Sequence, residues 1–282
     1  MNATVCKVVT DRIIEELEKG SIPWEKPWTG TGGAISHSTG KPYSLLNQML
    51  LGRPGEWLTF KQAQSEGGKI RKGEKGRPVV FWKQIAVKEE KDGEIVEKLA
   101  PVLRYYTVFH IDQTEGIKPR YTAAENPAPV SPISEAEAIV KAYEKRAPTL
   151  RIDRSENSDR AYYSPALDYI RVPRLEQYSR PEEYYSTLFH EMTHSTGHGS
   201  RLDRFKGSAA CAAFGSAEYS KEELTAEIGA ATLCNGCGIE TRNSFRNSAA
   251  YIQGWLAALR NDNQMIISAA GKAEKAVAYI LG

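Results

Sequence analysis

The segment 188–198 constrains this chain more than any other, because it contains His-Glu-x-x-His within a stretch of helical periodicity. His190 and His194 are four residues apart, so on a helix their imidazoles project from one face and can bind one metal ion. Glu191 lies beside them, where it can act as a general base on a water molecule. Two imidazoles, an open coordination position and a carboxylate are typical of a catalytic zinc site.

Independent features favour a helix across this motif. Ser179 and Glu182 have the spacing of a capping box, and Pro181 falls in the first turn. Gly197 is typical of a helix end. Apolar side chains between these positions recur at helical spacing and predict a core-facing stripe of Tyr185, Leu188, Phe189 and Met192. A surface helix with two coincidental histidines is disfavoured, because three of the five histidines in the chain fall within this short segment.

A catalytic zinc site needs a third protein ligand, and three candidates follow the motif. His198 is near in sequence, but it lies beyond the predicted helix end and ranks below a carboxylate. A second helix is predicted from Ser220, and on its helical wheel Glu223 and Glu227 flank the apolar face while Glu222 points away. We predict Glu223 as the third ligand and Glu227 as the residue that orients a ligand histidine, or as the substitute ligand. The alternative for Glu223 is a capping box with Ser220.

Composition indicates a globular protein of two domains, with 282 residues, 41% hydrophobic content and a net charge of +2. No apolar run is long enough to cross a membrane, and the N-terminus lacks the features of a secretion signal. The four cysteines do not form the pattern of a disulfide framework. Cys234 and Cys237 form a C-x-x-C that is more typical of a helix end than of a metal or redox site. We therefore expect a cytoplasmic protein that does not bind membranes.

Basic and aromatic residues are concentrated near the front of the chain. The stretch from Lys61 to Lys83 contains seven Lys or Arg against two Glu, and four of the five tryptophans precede Lys83. Such a mixture suits single-stranded nucleic acid, because phosphates meet cations and unstacked bases meet aromatic rings. The alternative is that the tryptophans form a core and the basic run is a solvated loop, and composition does not separate the two.

Five phrases in this region resemble the N-terminal domain of the ArdC antirestriction family, a domain also found at the front of TraC-type plasmid primases. They are Trp24–Trp28, Thr39–Tyr43, Trp57–Ala63, Gly67–Gly76 and Val80–Lys83. The resemblance implies that this domain binds single-stranded DNA and that the C-terminal half is a zincin-like metallopeptidase domain. In that half His190, Glu191 and His194 match the family motif, and Glu223 matches a downstream E-E-L-x-A-E phrase.

The resemblance and the composition together give a set of candidate nucleic-acid-binding residues. They are Trp24, Trp28, Lys41, Tyr43, Trp57, Lys61, Lys69, Arg71, Lys72, Lys75, Arg77, Trp82 and Lys83.

Secondary structure is predicted in both halves. Before residue 117, helices are expected at 4–19 and 44–51, and strands at 78–83, 85–88, 94–98 and 102–111. Beyond the linker, a helix is expected at 134–146, a hairpin at 161–173 and two helices in the tail. In zincins such a hairpin borders the cleft, where an extended peptide can add to its edge. Its tyrosines Tyr162, Tyr163 and Tyr169 are oxyanion candidates, although packing is their commoner role.

We predict an α+β protein with a small α+β nucleic-acid-binding domain at 1–117 and a zincin-like metallopeptidase domain at 134–282. The Pro-rich segment 118–133 is predicted to be a semi-rigid linker that holds the cleft near the bound DNA strand without fusing the two surfaces, so that each half works alone. One zinc ion is expected per chain, with single-stranded DNA as a partner and an unidentified protein or peptide as substrate, in the transfer of a plasmid or mobile element. Two alternatives are a DNA-binding protein whose metal domain is structural or occlusive, and a primase accessory module.

Overall fold

The computed structural model describes residues 2–25, 33–91, 94–121, 132–205, 217–239 and 249–282. The α+β class is confirmed. The helices are α1 (Ala3–Glu18), α2 (Leu45–Leu51), α3 (Phe60–Ser65), α4 (Pro132–Arg146), α5 (Pro181–Ser195), α6 (Ala217–Gly236), α7 (Ala249–Asn261) and α8 (Met265–Leu281). The strands are β1 (Ala34–Ser36), β2 (Gly55–Leu58), β3 (Lys69–Ile70), β4 (Arg77–Lys91), β5 (Glu94–His110), β6 (Thr114–Glu115), β7 (Arg151–Asp153), β8 (Tyr162–Ser164) and β9 (Tyr169–Arg171).

The N-terminal half contains a sheet with the strand order β1-β2-β5-β4, and its longest part is the β4–β5 hairpin. The sequence predicts four separate strands here, whereas the structure forms one continuous ladder from Arg77 opposite Val108 to Lys91 opposite Glu94. Gln84 and Pro101, where the prediction breaks the strands, lie opposite each other in that ladder. Cross-strand pairing therefore outweighs the local propensities at these two positions.

One hydrophobic core is shared by the two halves of the chain. The buried stripe of α1 packs with α2, α6, α7 and α8; its residues are Val5, Val9, Ile13 and Leu17. Polar contacts join the same elements, since the Thr10 hydroxyl donates to the Asn263 carbonyl at 2.8 Å and the Leu45 amide donates to Glu274 at 3.0 Å. The linker therefore does not divide the described chain into two units with separate cores, as the expectation that each half works alone requires. A linker's composition does not reveal whether the flanking elements carry apolar faces that must be buried together.

A second core surrounds α5, which packs against α4, α6, α8 and the small sheet β7-β9-β8. The predicted apolar stripe of α5 is confirmed, because Leu188, Phe189 and Met192 are fully buried. The predicted capping box is wrong, because Arg180 is the N-cap without a side-chain cap and Pro181 is the first helical residue. The C-x-x-C is confirmed as a helix end, since α6 ends at Gly236.

None of the helices that the structure describes is both long and apolar enough to span a membrane. Of the cysteines, Cys6, Cys234 and Cys237 are buried free thiols, and Cys211 lies outside the described residues.

Candidate metal centre and nucleic-acid surface

Helices α5 and α6 lie against each other and supply the polar groups of the candidate metal centre. Their backbones approach closely at Gly229, where an added Cβ atom would lie 2.6 Å from the Cγ2 atom of Thr193. Only glycine fits at position 229 without a displacement of Thr193. The contact places one turn of α6 beside the motif on α5. The helix pair therefore fixes the distance between the histidines and the carboxylates of α6.

His190, His194 and Glu223 come together in this interface, and one ligand atom from each lies within 4.8 Å of the others. The two Nε2 atoms are 3.1 Å apart, and each lies 3.5 Å from an oxygen of Glu223. Ligands 2.0–2.1 Å from a tetrahedral zinc ion are about 3.3 Å from one another, so these donors fit a divalent ion of that size. His198 is not in this cluster, because its Nδ1 contacts the Ser200 hydroxyl at 2.8 Å.

The alternative role of Glu223, a capping box with Ser220, is wrong. Helix α6 begins at Ala217, so Ser220 lies inside the helix and not at its N-cap. Burial acts to raise the pKa of Glu223, but hydrogen bonds with His190 and His194 outweigh it and hold the pKa well below its ordinary value. The carboxylate is therefore ionised, as a metal ligand must be.

Glu222 is the carboxylate that orients His194, contrary to the helical-wheel prediction that it points away from the buried face. Its Oε1 lies 3.3 Å from the Nδ1 of His194 and accepts a hydrogen bond of 2.7 Å from Arg204. Arg204 also donates to the Thr193 carbonyl at 2.9 Å, so the guanidinium that binds the carboxylate is itself anchored to α5. The wheel fails because α6 is buried on several sides, whereas the argument assumes a single apolar face.

Glu227 lies near the other ligand, with its Oε1 at 3.8 Å from the Nδ1 of His190. That Nδ1 is buried and has no hydrogen-bond partner among the described residues. A metal-ligating histidine usually donates its remote N–H to a carboxylate, and Glu227 is placed for this after a small movement. Each histidine of the candidate centre thus has its own acidic neighbour on α6.

Tyr219 is a residue of the centre that the sequence analysis does not identify. It precedes Glu223 by one turn of α6, and its hydroxyl is hydrogen-bonded to that carboxylate. Burial raises the pKa of Tyr219 to about 12, and the charges of Glu223 and Glu191 act in the same direction. The phenol therefore stays protonated and donates a hydrogen bond. Its spacing from Glu223 would identify it once the helix start is placed at Ala217.

Glu191 is buried at 8% exposure beside these groups. Its charge acts on both His194 and Tyr219, so the carboxylate lies next to the cluster. The cluster of described donors does not include it, which leaves Glu191 available for proton transfer.

Three tyrosines of the 161–173 hairpin are candidates from the sequence for stabilising an oxyanion. In the structure, two of them make other contacts and the third is exposed. The Tyr163 hydroxyl donates to Asp168 at 3.1 Å, and the Tyr169 hydroxyl donates to Asp153 at 2.8 Å. Tyr162 is exposed. Strand β8 is nevertheless an edge strand of its sheet, so an extended peptide can pair with it.

Two of the tryptophans predicted to contact nucleic acid are buried. Trp24 is 2% exposed and packs edge-on against Trp255, and Trp57 is 1% exposed and packs against His110. Neither ring is accessible to a base, so the prediction for these two is wrong. Aromatic rings bury a large apolar surface, and Trp24 and Trp57 are used for this purpose in the hydrophobic cores. Trp28 lies outside the described residues.

The other predicted nucleic-acid contacts reach the surface to different degrees. The exposed ones are Lys41, Lys61, Lys69, Arg71, Lys72, Lys75, Trp82 and Lys83, and the half-buried ones are Tyr43 and Arg77. Some of the cations are already paired, because Lys69 lies 2.9 Å from Glu115 and Arg71 lies 2.8 Å from Glu74. Local net charge therefore overstates the number of cations that are available to phosphates.

Comparison with known families covers most of the chain. Residues 3–109 match the N-terminal domain of anti-restriction factor ArdC, and residues 136–272 match a zincin-like metallopeptidase family. The chain is 34% identical over 284 residues to the uncharacterized protein y4eC of Sinorhizobium fredii, covering 95% of this chain and 88% of that protein. It is 34% identical over 296 residues to a DNA primase TraC of Escherichia coli, covering 97% of this chain. It spans only 26% of that primase, about a quarter of its length.

Solved structures show the same fold over nearly the whole chain. The metal-free crystal structure of the antirestriction ArdC protein from the R388 plasmid has a TM-score of 0.72 and 37% identity, covering 99% of this chain and 97% of that one. The Mn(II)-bound crystal structure of that protein has a TM-score of 0.70 and 36% identity, covering 98% and 96%. In that relative, the fold binds a divalent metal ion.

Proposed function

Because this chain belongs to the ArdC antirestriction family, we propose that it binds single-stranded DNA and hydrolyses peptide bonds with a zinc centre during the transfer of a mobile element. The observation that carries the proposal is the group of donors formed by His190, His194 and Glu223, with Glu191 buried beside it. Family membership supports an antirestriction role, and the chemistry is argued from these residues.

Different residues of the chain have different roles in the proposed hydrolysis. His190, His194 and Glu223 would hold the ion, which when bound polarises a peptide carbonyl and a water molecule. Glu191 accepts the proton of the attacking water and can return it to the leaving amine. Tyr219 provides a neutral hydrogen-bond donor beside the cluster. The edge of β8 offers main-chain hydrogen bonds to an extended substrate.

The number of protein ligands favours catalysis over a structural role. Structural zinc sites are closed by four protein ligands, whereas catalytic sites have three and an open position. The described residues supply three donors, and two histidines with one glutamate form a known catalytic zinc set. This composition is our reason for proposing zinc, although a relative has been crystallised with Mn(II).

Single-stranded DNA is the proposed partner of the N-terminal half. The match to the ArdC N-terminal domain and the exposed cations of segment 61–83 support it. Priming is not proposed, because the chain spans only about a quarter of the TraC primase that it resembles. We place this activity in the cytoplasm, where a DNA partner and reduced cysteines are both expected.

Incubation of the zinc-loaded protein with unfolded protein substrates, with and without single-stranded DNA, tests the proposal. We expect cleavage by the wild type and none by Glu191→Gln, which removes the base but no donor of the cluster. Cleavage that persists in Glu191→Gln, or that is absent from the wild type under both conditions, would favour the alternative of a DNA-binding protein whose metal domain is structural or occlusive.

A further inference from the structure

The β4–β5 hairpin extends well beyond the rest of its sheet. Strand β2 pairs with β5 only at residues 57–58 opposite 109–110, whereas β4 pairs with β5 from Arg77 to Lys91. At about 3.4 Å per residue, the ladder is roughly 50 Å long. Most of it is therefore a two-stranded ribbon with two faces.

Residues that lie opposite each other in an antiparallel pair project from the same face, so the register assigns each side chain to one face. One face, which we call the cationic face, carries Phe81 opposite Arg104, Lys83 opposite Val102, and Tyr106 opposite Val79. The other face, which we call the neutral face, carries Trp82 opposite Leu103, Tyr105 opposite Val80, and Gln84 opposite Pro101.

The cationic face combines exposed aromatic rings with positive charge. Phe81 and Tyr106 are 40% and 39% exposed, and their ring centroids are 5.5 Å apart. The sequence has no Asp or Glu at 77–86 or 99–110, and its three basic residues there, Arg77, Lys83 and Arg104, all lie on this face. Among the side chains that the structure describes, Lys83 and Arg104 have no acidic partner on the hairpin. Arg77 is half-buried over the Trp57 ring, whereas Lys83 and Arg104 are exposed.

Tyr106 is also held in place from the side. Its ring packs against Phe81, and its hydroxyl lies near that of Tyr43, a predicted nucleic-acid residue that packs on the small core under β4. A ring fixed in this way loses little conformational entropy when a base stacks on it.

The neutral face lacks the charge that a phosphate backbone requires. Trp82 and Tyr105 are 54% and 46% exposed, and the residues opposite them are buried, as is Val79 opposite Tyr106 on the cationic face, so the two faces differ in charge and not in burial. No Lys or Arg of segments 77–86 and 99–110 lies on this face. A DNA strand placed here would stack on rings but leave its phosphates without cations.

We infer that single-stranded DNA binds the cationic face of the hairpin, with bases on Phe81 and Tyr106 and phosphates at Lys83 and Arg104. The inference rests on the proposed DNA-binding function and narrows it to one surface. Bases in a duplex are already stacked, so exposed rings select unpaired bases. Trp82, which the sequence suggests as a contact, lies on the opposite face and is not used.

Neighbouring residues on opposite faces give matched controls for the test. The full-length zinc-loaded chain is titrated against a fluorescein-labelled oligothymidylate, with Tyr106→Ala compared to Tyr105→Ala and Phe81→Ala compared to Trp82→Ala. We expect Tyr106→Ala and Phe81→Ala each to weaken binding roughly 5- to 100-fold, the loss of one stacked base, while both controls bind as the wild type does.

The exposed Arg104 gives an additional variant whose substitution leaves the core untouched. Arg104→Gln should reduce the slope of log affinity against log salt by about 0.7, the value for one phosphate contact on a single strand. Thermal unfolding of every variant confirms that the fold is retained.

Each outcome bears on the inference in a distinct way. Weakening by Tyr105→Ala and Trp82→Ala but not by their partners would place DNA on the neutral face and overturn it. Wild-type affinity in all four aromatic variants would overturn it as well, while the proposed DNA-binding function stands. If the wild type itself fails to bind the oligothymidylate, the DNA-binding function fails and the inference with it.

Discussion

Each histidine of the candidate metal centre has an acidic residue near its Nδ1 atom. Glu222 lies 3.3 Å from the Nδ1 of His194, and Glu227 lies 3.8 Å from the Nδ1 of His190. A carboxylate at Nδ1 fixes the tautomer in which Nε2 carries the free electron pair, so Nε2 becomes the metal-binding atom. Glu223 has a different place, because each of its oxygens lies 3.5 Å from one of the two Nε2 atoms.

These positions predict a ranking of the three glutamates in metal binding. Glu223→Gln should lose the ion, whereas Glu222→Gln and Glu227→Gln should weaken its affinity by about 10- to 100-fold. Elemental analysis and competition with a chromophoric chelator measure the two effects. Thermal unfolding is followed in parallel, because Glu222→Gln leaves Arg204 buried without its charged partner. Retention of metal by Glu223→Gln, with its loss from Glu227→Gln, would exchange their roles.

Metal binding should also release a proton, because His194 holds one in the metal-free protein. Burial acts to lower the pKa of His194, but hydrogen bonds with Glu222 and Glu223 outweigh it and raise the pKa to about 10. The value in the unfolded chain is about 6.5. The proton therefore stabilises the metal-free fold fully below about pH 6.5, and this contribution is lost as the pH rises through about 10.

Between those limits the ion competes with the proton, so zinc affinity should rise about tenfold per pH unit. Calorimetric titrations in two buffers of different ionisation enthalpy measure the protons released per ion. Equal heats in both buffers and equal affinity at pH 7 and pH 8 would contradict the prediction.

The chemistry of the motif follows from sequence because a four-residue spacing on one helix fixes the geometry of His190 and His194. Glu223 is predicted from other signals, namely its place on the helical wheel of the next helix, the need of the site for a third ligand and the resemblance of the E-E-L-x-A-E phrase. Glu222 and Arg204 escape prediction, because their contact with His194 depends on how α5 and α6 pack and not on either helix alone.

At the scale of elements, the contact between α5 and α6 sets the geometry of the centre. Gly229 allows that contact, because an added Cβ atom would collide with the buried Thr193. Gly236 lies in the same helix, but nothing is within 4 Å of the position of its Cβ atom.

Gly229→Ala should therefore separate the two helices and loosen the donor group. We expect about 1–3 kcal/mol lower stability, as for other overpacked sites, together with weaker zinc binding. Gly236→Ala is the matched control and should leave both properties within about 1 kcal/mol of the wild type. Thermal unfolding measures the stability of both variants, and chelator competition measures their zinc affinity. Equal behaviour of the two variants would show that the close approach is unimportant.

In the β4–β5 hairpin, local strand propensity does not predict where the strands begin and end. Gln84 and Pro101 break the predicted strands, yet each sits opposite the other in an unbroken ladder. The two-residue period of a strand shows that Phe81 and Trp82 lie on opposite faces. Only the pairing register of β4 with β5 shows that Arg104 lies on the same face as Phe81.

At the scale of the whole molecule, the two halves are joined by a common core. The apolar stripe of α1 is covered by helices from the C-terminal half, and Trp24 packs against Trp255. Sequence patterns correctly mark these residues as apolar, but they do not identify the partner that covers them.

A fragment of residues 1–117 should therefore not fold as the full chain does. Removal of the C-terminal helices exposes Val5, Val9, Ile13 and Leu17, so we expect no cooperative thermal transition and strong binding of an apolar dye. Circular dichroism and dye fluorescence on the fragment and on the full chain provide the comparison. A fragment that unfolds cooperatively without binding dye would show that the N-terminal half is independent.

We propose that the metal centre performs the antirestriction function catalytically. The most direct measurement is the survival of transferred, unmodified DNA in a restricting recipient that contains wild type or Glu191→Gln, with zinc content and single-stranded DNA affinity measured for both proteins. We predict that Glu191→Gln retains zinc and DNA affinity but loses protection. Full protection by Glu191→Gln would contradict the claim and show that protection comes from coating the strand.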